Sequence, residues 1–234
     1  MSFKALILAA GKSTRIAQTA GGIPKPLLPI KGEPVLVHNL KLLKKHGVKE
    51  AWINLHFMAD AVRECVGDGS RWGVAVRYWH EREILGTAGA LKNLEREFKD
   101  GAHYVVYGDN YTDCDLTEMM EQHKKKDAAA TVAVFDPAKN PNSGIAGGKI
   151  KVGTEGSIEE FNEGGKDGNW VNAGIYALEP SVMDIIPKGF SDFGKDVFPA
   201  LLKNKKKIQA YPIKGFCFAV DTPESYERAQ ALNK

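Results

Sequence analysis

Short apolar runs alternate along the first half of the chain with stretches whose apolar positions recur every three to four residues. The first pattern is that of strands buried on both faces, the second that of amphipathic helices. Residues 3–9 read as a buried strand, 34–46 as a helix with Val35, Leu36, Leu40, Leu42 and Leu43 facing inward, and 51–55 as a second strand. A short helix over 60–66, a strand over 74–79, a helix over 88–98 and a buried strand over 104–107 follow. This order predicts a doubly wound α/β sheet. Beyond a helix over 116–125 the texture changes. "ATVAVF", a glycine-studded "NSGIAGGKIKVGTEGS" and "WVNAGIYAL" read as strands and hairpins, 192–203 as a helix, 208–220 as two strands and 223–233 as a closing helix with Pro223 in its first turn. The expected fold is therefore a mixed, mostly parallel α/β sheet with a smaller β-rich part. It forms a single domain over 1–234, with 1–115 and 116–234 as its two halves.

Composition narrows the function classes. The net charge of +3, with charged residues of both signs, gives no bias toward nucleic acid or anionic membranes. "HKKK" after Gln122 and the lysines at 203–207 have no interleaved aromatic residues and read as solvated helix ends, where cations complement the helix dipole. No apolar run approaches a membrane span and no secretion signal is visible, so a cytoplasmic protein is expected. Cys65, Cys114 and Cys217 have neither C-x-x-C spacing nor a histidine at zinc spacing, and read as reduced thiols.

The most informative segment follows the first strand. Its "GKS" suggests a P-loop, but the position five before Gly11 is Leu6 rather than glycine, and prolines at 24, 26 and 29 rule out the long helix that follows a P-loop. It is an irregular loop carrying Arg15 and Lys25. In open α/β sheets ligands collect at the carboxyl ends of the strands. There this chain also places "HEREILGTAGAL" and "YGDN", the latter setting Asp109 at a strand tip. Two cations, a glycine-rich turn and a carboxylate suit a nucleoside triphosphate with Mg²⁺. Asp109 could instead cap a turn, although Asp113 and Asp115 are better placed as caps.

"LILAAGKSTR", "PKPLLPIKGEPVL", "LGTAGAL", "YGDN" and "NAGIYALEP", in this order, closely resemble the sugar-1-phosphate nucleotidyltransferases, nearest to the guanylyltransferases of mannose 1-phosphate and manno-heptose 1-phosphate. The resemblance implies transfer of a nucleoside monophosphate from an NTP, GTP favoured, to a sugar 1-phosphate, with Mg²⁺ as cofactor and a homo-oligomer compatible. It implies Arg15 on the triphosphate, Lys25 at the reacting centre and Asp109 on the metal. Nucleotide contacts would come from Leu8, Ala9, Ala10, Gly11, Lys12, Ser13, Thr14, Leu85, Gly86 and Thr87, and sugar contacts from Gly144, Glu163, Lys166, Asn172 and Gly174.

Two departures stand out. Gly164 occupies the position of the usual sugar-phosphate lysine, with Lys166 two residues on. Ala219 stands where relatives carry a second metal-binding aspartate, with Asp221 two residues on. In an extended strand, Asp221 would lie about 6–7 Å beyond that place, so it serves the metal only if the chain turns back; otherwise it caps the closing helix. Uridylyl or thymidylyl transfer to a hexose 1-phosphate, cytidylyl transfer to an alcohol phosphate, and a noncatalytic nucleotide-sugar-binding homologue are the alternatives.

Overall fold

The computed structural model describes residues 3–12, 21–139, 143–144, 148–162, 168 and 170–232. In chain order the elements are β1 (Lys4–Leu8), β2 (Pro29–Ile30), β3 (Glu33–Pro34), α1 (Val35–Lys45), β4 (Glu50–Leu55), α2 (Ala59–Val66), β5 (Ala75–His80), α3 (Gly86–Asn93), α4 (Glu95–Phe98), β6 (His103–Tyr107), β7 (Asn110–Thr112) and α5 (Leu116–Lys125). There follow β8 (Ala130–Phe135), β9 (Ser143–Gly144), β10 (Lys149–Val152), β11 (Ile158–Asn162), β12 (Trp170–Leu178), α6 (Phe198–Lys203), β13 (Ile208–Pro212), β14 (Cys217–Ala219) and α7 (Pro223–Ala231).

One nine-stranded sheet runs β11-β10-β12-β6-β1-β4-β5, with β8 also on β12 and β13 on β8. The four strands from β6 to β5 are parallel, whereas β12 pairs antiparallel with β6, matching Ile175 to Val106. Both halves of the chain thus share one sheet. The continuous apolar run of β1 reflects cover on both faces. Ala5 and Ile7 pack with Leu36 and Leu40 of α1 and Met119 of α5, while Leu6 packs with Leu91 of α3, Phe98 of α4 and Leu201 of α6. A smaller cluster, Leu28, Ile30, Tyr111, Phe218 and Ala229, seats α7 against the β2–β3 hairpin and the small sheet β7-β14-β9.

Two expected helices are interrupted. The one over 88–98 begins earlier, at Gly86, and breaks at Leu94, whose φ of −100° and ψ of 17° end α3 before α4 starts. The one over 192–203 opens with a π turn, Phe193–Val197, in which Val197 N–H donates to the Asp192 carbonyl. Pro199, lacking an N–H, lies in the first turn of α6, where that donor is dispensable.

Candidate active site

The carboxyl ends of β1 and β6 lie side by side, held by a bond from Gly108 N–H to the Leu8 carbonyl at 2.8 Å, so the loop at 9–12 and Asp109 face one cleft. The cleft encloses about 370 Å³ and is lined by Leu8, Ala9, Ala10, Gly11, Lys12, Lys25, Gly86, Thr87 and Asp109 among others. Lys25 enters from a single 3₁₀ turn, Lys25–Leu27. Its Nζ lies 3.4 Å from Asp109 Oδ2 and also contacts Asp221 Oδ1. Asp221 arrives because β14 pairs with β7, Ala219 opposite Asn110, and the chain then turns at Val220, whose N–H donates to the Asp109 carbonyl at 2.9 Å. The strand does not stay extended, and the turn brings Asp221 to Lys25 beside Asp109. Its alternative role is already filled: Thr222 caps α7 in a reciprocal capping box with Ser225.

Electrostatically the cluster brings two carboxyl groups to one ammonium. Burial raises the Asp109 pKa; Lys25 pulls it down and Asp221 pushes it up again. Asp113 and Asp115 are engaged elsewhere, Asp115 capping α5 through Glu118 N–H at 2.9 Å and Asp113 accepting from Phe216 N–H at 2.7 Å.

At the other end of the cleft, two loops are stitched together by residues that the sequence reading passed over. Ala9 N–H donates to Asn54 Oδ1 at 2.8 Å, Asn54 Nδ2 donates to Glu81 Oε1 at 2.8 Å, and Leu85 N–H donates to Glu81 Oε2 at 3.0 Å. The Ala9 N–H is therefore already used within the protein. The signal was present: Asn54 is a polar residue in an apolar strand, and Glu81 directly follows a strand end. The glycine turn is clasped from the second half of the chain. Gly86 has φ +74°, and a Cβ there would lie 2.5 Å from the Ser191 carbonyl oxygen. That carbonyl accepts from Ala88 and Gly89 N–H, and Asp192 Oδ1 accepts from Thr87 N–H at 3.2 Å. These contacts occupy the first free donors of α3, so the helix start does not present them to an anion.

Of the expected sugar contacts, Asn172 is 7% exposed, with Oδ1 accepting from Gly174 N–H at 2.9 Å and Nδ2 donating to Tyr176 Oη at 3.0 Å. Gly174 has φ +67°, and its missing Cβ leaves room for the ring of Tyr107. Gly144 lies on β9, paired with Phe218. Ser13, Thr14, Arg15, Glu163 and Lys166 lie outside the described residues.

The sequence matches the Nucleotidyl transferase family over residues 4–233. The chain belongs to that family. As a nucleotidyl transferase family member it is 35% identical to a UTP–glucose-1-phosphate uridylyltransferase of Synechocystis sp. over 85% of its own length and 55% of that protein. It is 30% identical to a mannose-1-phosphate guanylyltransferase of Mycobacterium tuberculosis over 97% of its length and 63% of that protein. It thus spans about three fifths of the relatives it matches. Among solved structures, HddC from Yersinia pseudotuberculosis superposes with a TM-score of 0.80 at 25% identity, covering 97% of this chain and 98% of that one; HddC has also been solved with GMP-PN.

The acidic pair of this nucleotidyl transferase family member fits a hard divalent cation. Both donors are carboxylates and both already converge on one positive charge. Among the described residues no cluster of three or more His, Cys, Asp or Glu side chains occurs; Mg²⁺ commonly takes phosphate and water oxygens beside one or two carboxylates. No helix among the described residues is long and apolar enough to cross a membrane.

Proposed function

We propose that the chain transfers a nucleoside monophosphate from an NTP, GTP favoured, to a sugar 1-phosphate, forming an NDP-sugar and pyrophosphate. The observation that carries this reading is the convergence of Lys25, Asp109 and Asp221 at one end of a cleft whose other end is the clasped Gly86 turn. Reaction requires a sugar phosphate oxygen to attack the α-phosphorus in line, with no protein nucleophile; positioning and charge stabilisation suffice. Bound Mg²⁺ would supply charge neutralisation on the phosphates, held by Asp109 and Asp221. Lys25 neutralises charge at the reacting phosphate, and Arg15 acts on the triphosphate tail. The backbone at 10–12 and the 85–87 turn hold the nucleoside, and the 189–193 segment supports that turn from the half otherwise devoted to the sugar phosphate, where Glu163 and Lys166 act.

Glu81, 2% exposed and with its two oxygens accepting from Asn54 and Leu85, holds the loop at Ala9 and the turn at Leu85 in register beneath the nucleoside. The second reading, uridylyl transfer, is favoured by the 35% identical relative. Pyrophosphate release measured over a grid of four NTPs with mannose 1-phosphate, manno-heptose 1-phosphate and glucose 1-phosphate separates them. GTP with a manno-configured sugar phosphate is expected to be fastest. Nucleotide binding by calorimetry without release for any pair would identify a noncatalytic binding protein.

A further inference from the structure

Among the described residues the large apolar side chains most open to solvent are Ile23, Phe57, Met58, Trp79 and Phe190. Phe190 is the most exposed of them, at 65%, and it alone of this group lines the cleft. It reaches the cleft from the second half of the chain, just before the π turn at Phe193–Val197. The backbone on either side of it is pinned to the start of α3. On one side Gly189, with φ +92°, lays its carbonyl against Gly89, where a Cβ would lie 2.3 Å from that oxygen. On the other, Ser191 N–H donates to the Leu85 carbonyl at 2.9 Å, and the Ser191 carbonyl accepts from Ala88 and Gly89 N–H at 2.8 and 3.1 Å. Asp192 Oδ1 also accepts from Thr87 Oγ1 at 3.1 Å. A backbone tied down on both sides presents the ring to a ligand with little left to order on binding.

This placement assigns the ring to one end of the cleft. Lys25, Asp109 and Asp221 gather at the other end, whereas the backbone at Phe190 lies beside the 85–87 turn, and half-buried Ile84, next to that turn, lines the same cleft. A flat ring system with polar edges suits such a place, because its face covers apolar side chains that water otherwise wets while its edge meets backbone groups. We propose that Phe190 is a substrate-binding residue whose ring packs against the nucleobase of the NTP, so that the second half of the chain contributes directly to the nucleotide site. Every base has a π-face, so this contact strengthens the binding of each NTP and selects none of them; base choice lies with other groups. The inference rests on the nucleotide reading proposed above and extends it to a residue outside the sequence motifs.

The test is calorimetric titration of GTP and of UTP, with Mg²⁺ and without sugar phosphate, into wild type, Phe190→Ala and Phe190→Trp. Phe190→Ala is expected to weaken Kd at least about fivefold for each nucleotide that wild type binds, the loss that truncating a base-stacking aromatic produces. Phe190→Trp keeps an aromatic face and stays within about threefold of wild type. The Tm of Phe190→Ala should stay within about 2 °C, because the side chain is mostly solvated. In pyrophosphate release, KM for the sugar 1-phosphate should stay within about twofold. A Phe190→Ala form that binds both nucleotides within about twofold of wild type overturns the inference and leaves the transfer reading standing. So does a loss confined to the sugar 1-phosphate KM, which places the ring on the other substrate, and so do equal losses in Phe190→Ala and Phe190→Trp, which mark a disturbed backbone rather than a lost ring contact. Wild type that binds no NTP refutes the nucleotide reading itself, and the inference falls with it.

Discussion

Substituting Asp221 by Asn separates two roles that a residue just before a helix can play. The carboxylate contacts Lys25 Nζ beside Asp109, and these three side chains are only 16%, 13% and 22% exposed, so their charges are partly shielded from solvent. A hydrogen bond or ligand contact involving a charged group in such a place contributes about 1.5–3 kcal/mol, which is roughly tenfold or more in an affinity. Asp221→Asn is therefore expected to raise the Mg²⁺ concentration for half-maximal pyrophosphate release at least about tenfold. Calorimetric titration of Mg²⁺ into the complex with a non-transferable GTP analogue should show the same loss, independently of turnover. The fold should scarcely notice, because Thr222 supplies the helix cap and Lys25 keeps Asp109 as partner. Thr222→Ala is the mirror image: about 1 kcal/mol of stability lost, a Tm about 2–4 °C lower, and an unchanged metal requirement. If Asp221→Asn kept its half-maximal Mg²⁺ within about twofold of wild type by both methods, the pairing of Asp109 and Asp221 as cation ligands would be wrong.

Other outcomes follow from other parts of the structure. Lys25→Ala should lower kcat about tenfold or more at saturating Mg²⁺; an unchanged kcat would show that Lys25 does not act at the reacting phosphate. Gly86→Ala forces a side chain into φ +74° against the Ser191 carbonyl and should cost about 1–2 kcal/mol while raising KM for the NTP; a normal KM would separate the clasp from nucleotide binding. His103 is buried, and burial depresses its pKa from 6.5 to about 4. The unfolded chain then binds the extra proton, so stability present above pH 6.5 is lost as pH falls toward 4, by about 3 kcal/mol in full. Replacing His103 by Phe should flatten the dependence of Tm on pH between 7 and 4.5, although burial also depresses His46 and His123 and preserves part of the slope.

Local pattern carried most of the architecture. The apolar runs of β1 and β6 and the periodicity of α1 and α5 are each set by cover on a sheet face, which leaves its mark residue by residue. The break at Leu94 left none, since Asn93, Leu94 and Glu95 are all tolerated in helices. In the site, Lys25 and Asp109 were legible because motif and strand end coincide. Asp221 was legible only as a condition, met by a turn at Val220 that depends on pairing with β7. The clasp of Ser191 and Asp192 on the Gly86 turn, and the fit of Gly174 to Tyr107, join positions far apart in the chain. No local spacing encodes such contacts; they follow from how the sheet is ordered.

That order also sets a timetable for synthesis. β6 is flanked by β1, made before it, and by β12, made long after it, and β8 likewise waits for β12 on one edge. At ribosomal speeds of about 5–20 residues per second, the interval from Tyr107 to Leu178 lasts roughly 4–14 s. Throughout it the nascent chain carries an apolar strand edge that no earlier segment can cover, the kind of edge that recruits foreign strands. The bent strand around Gly174 thus closes more than a substrate cleft: its arrival covers the open edge of β6 and one edge of β8, leaving the other edge of β8 to β13.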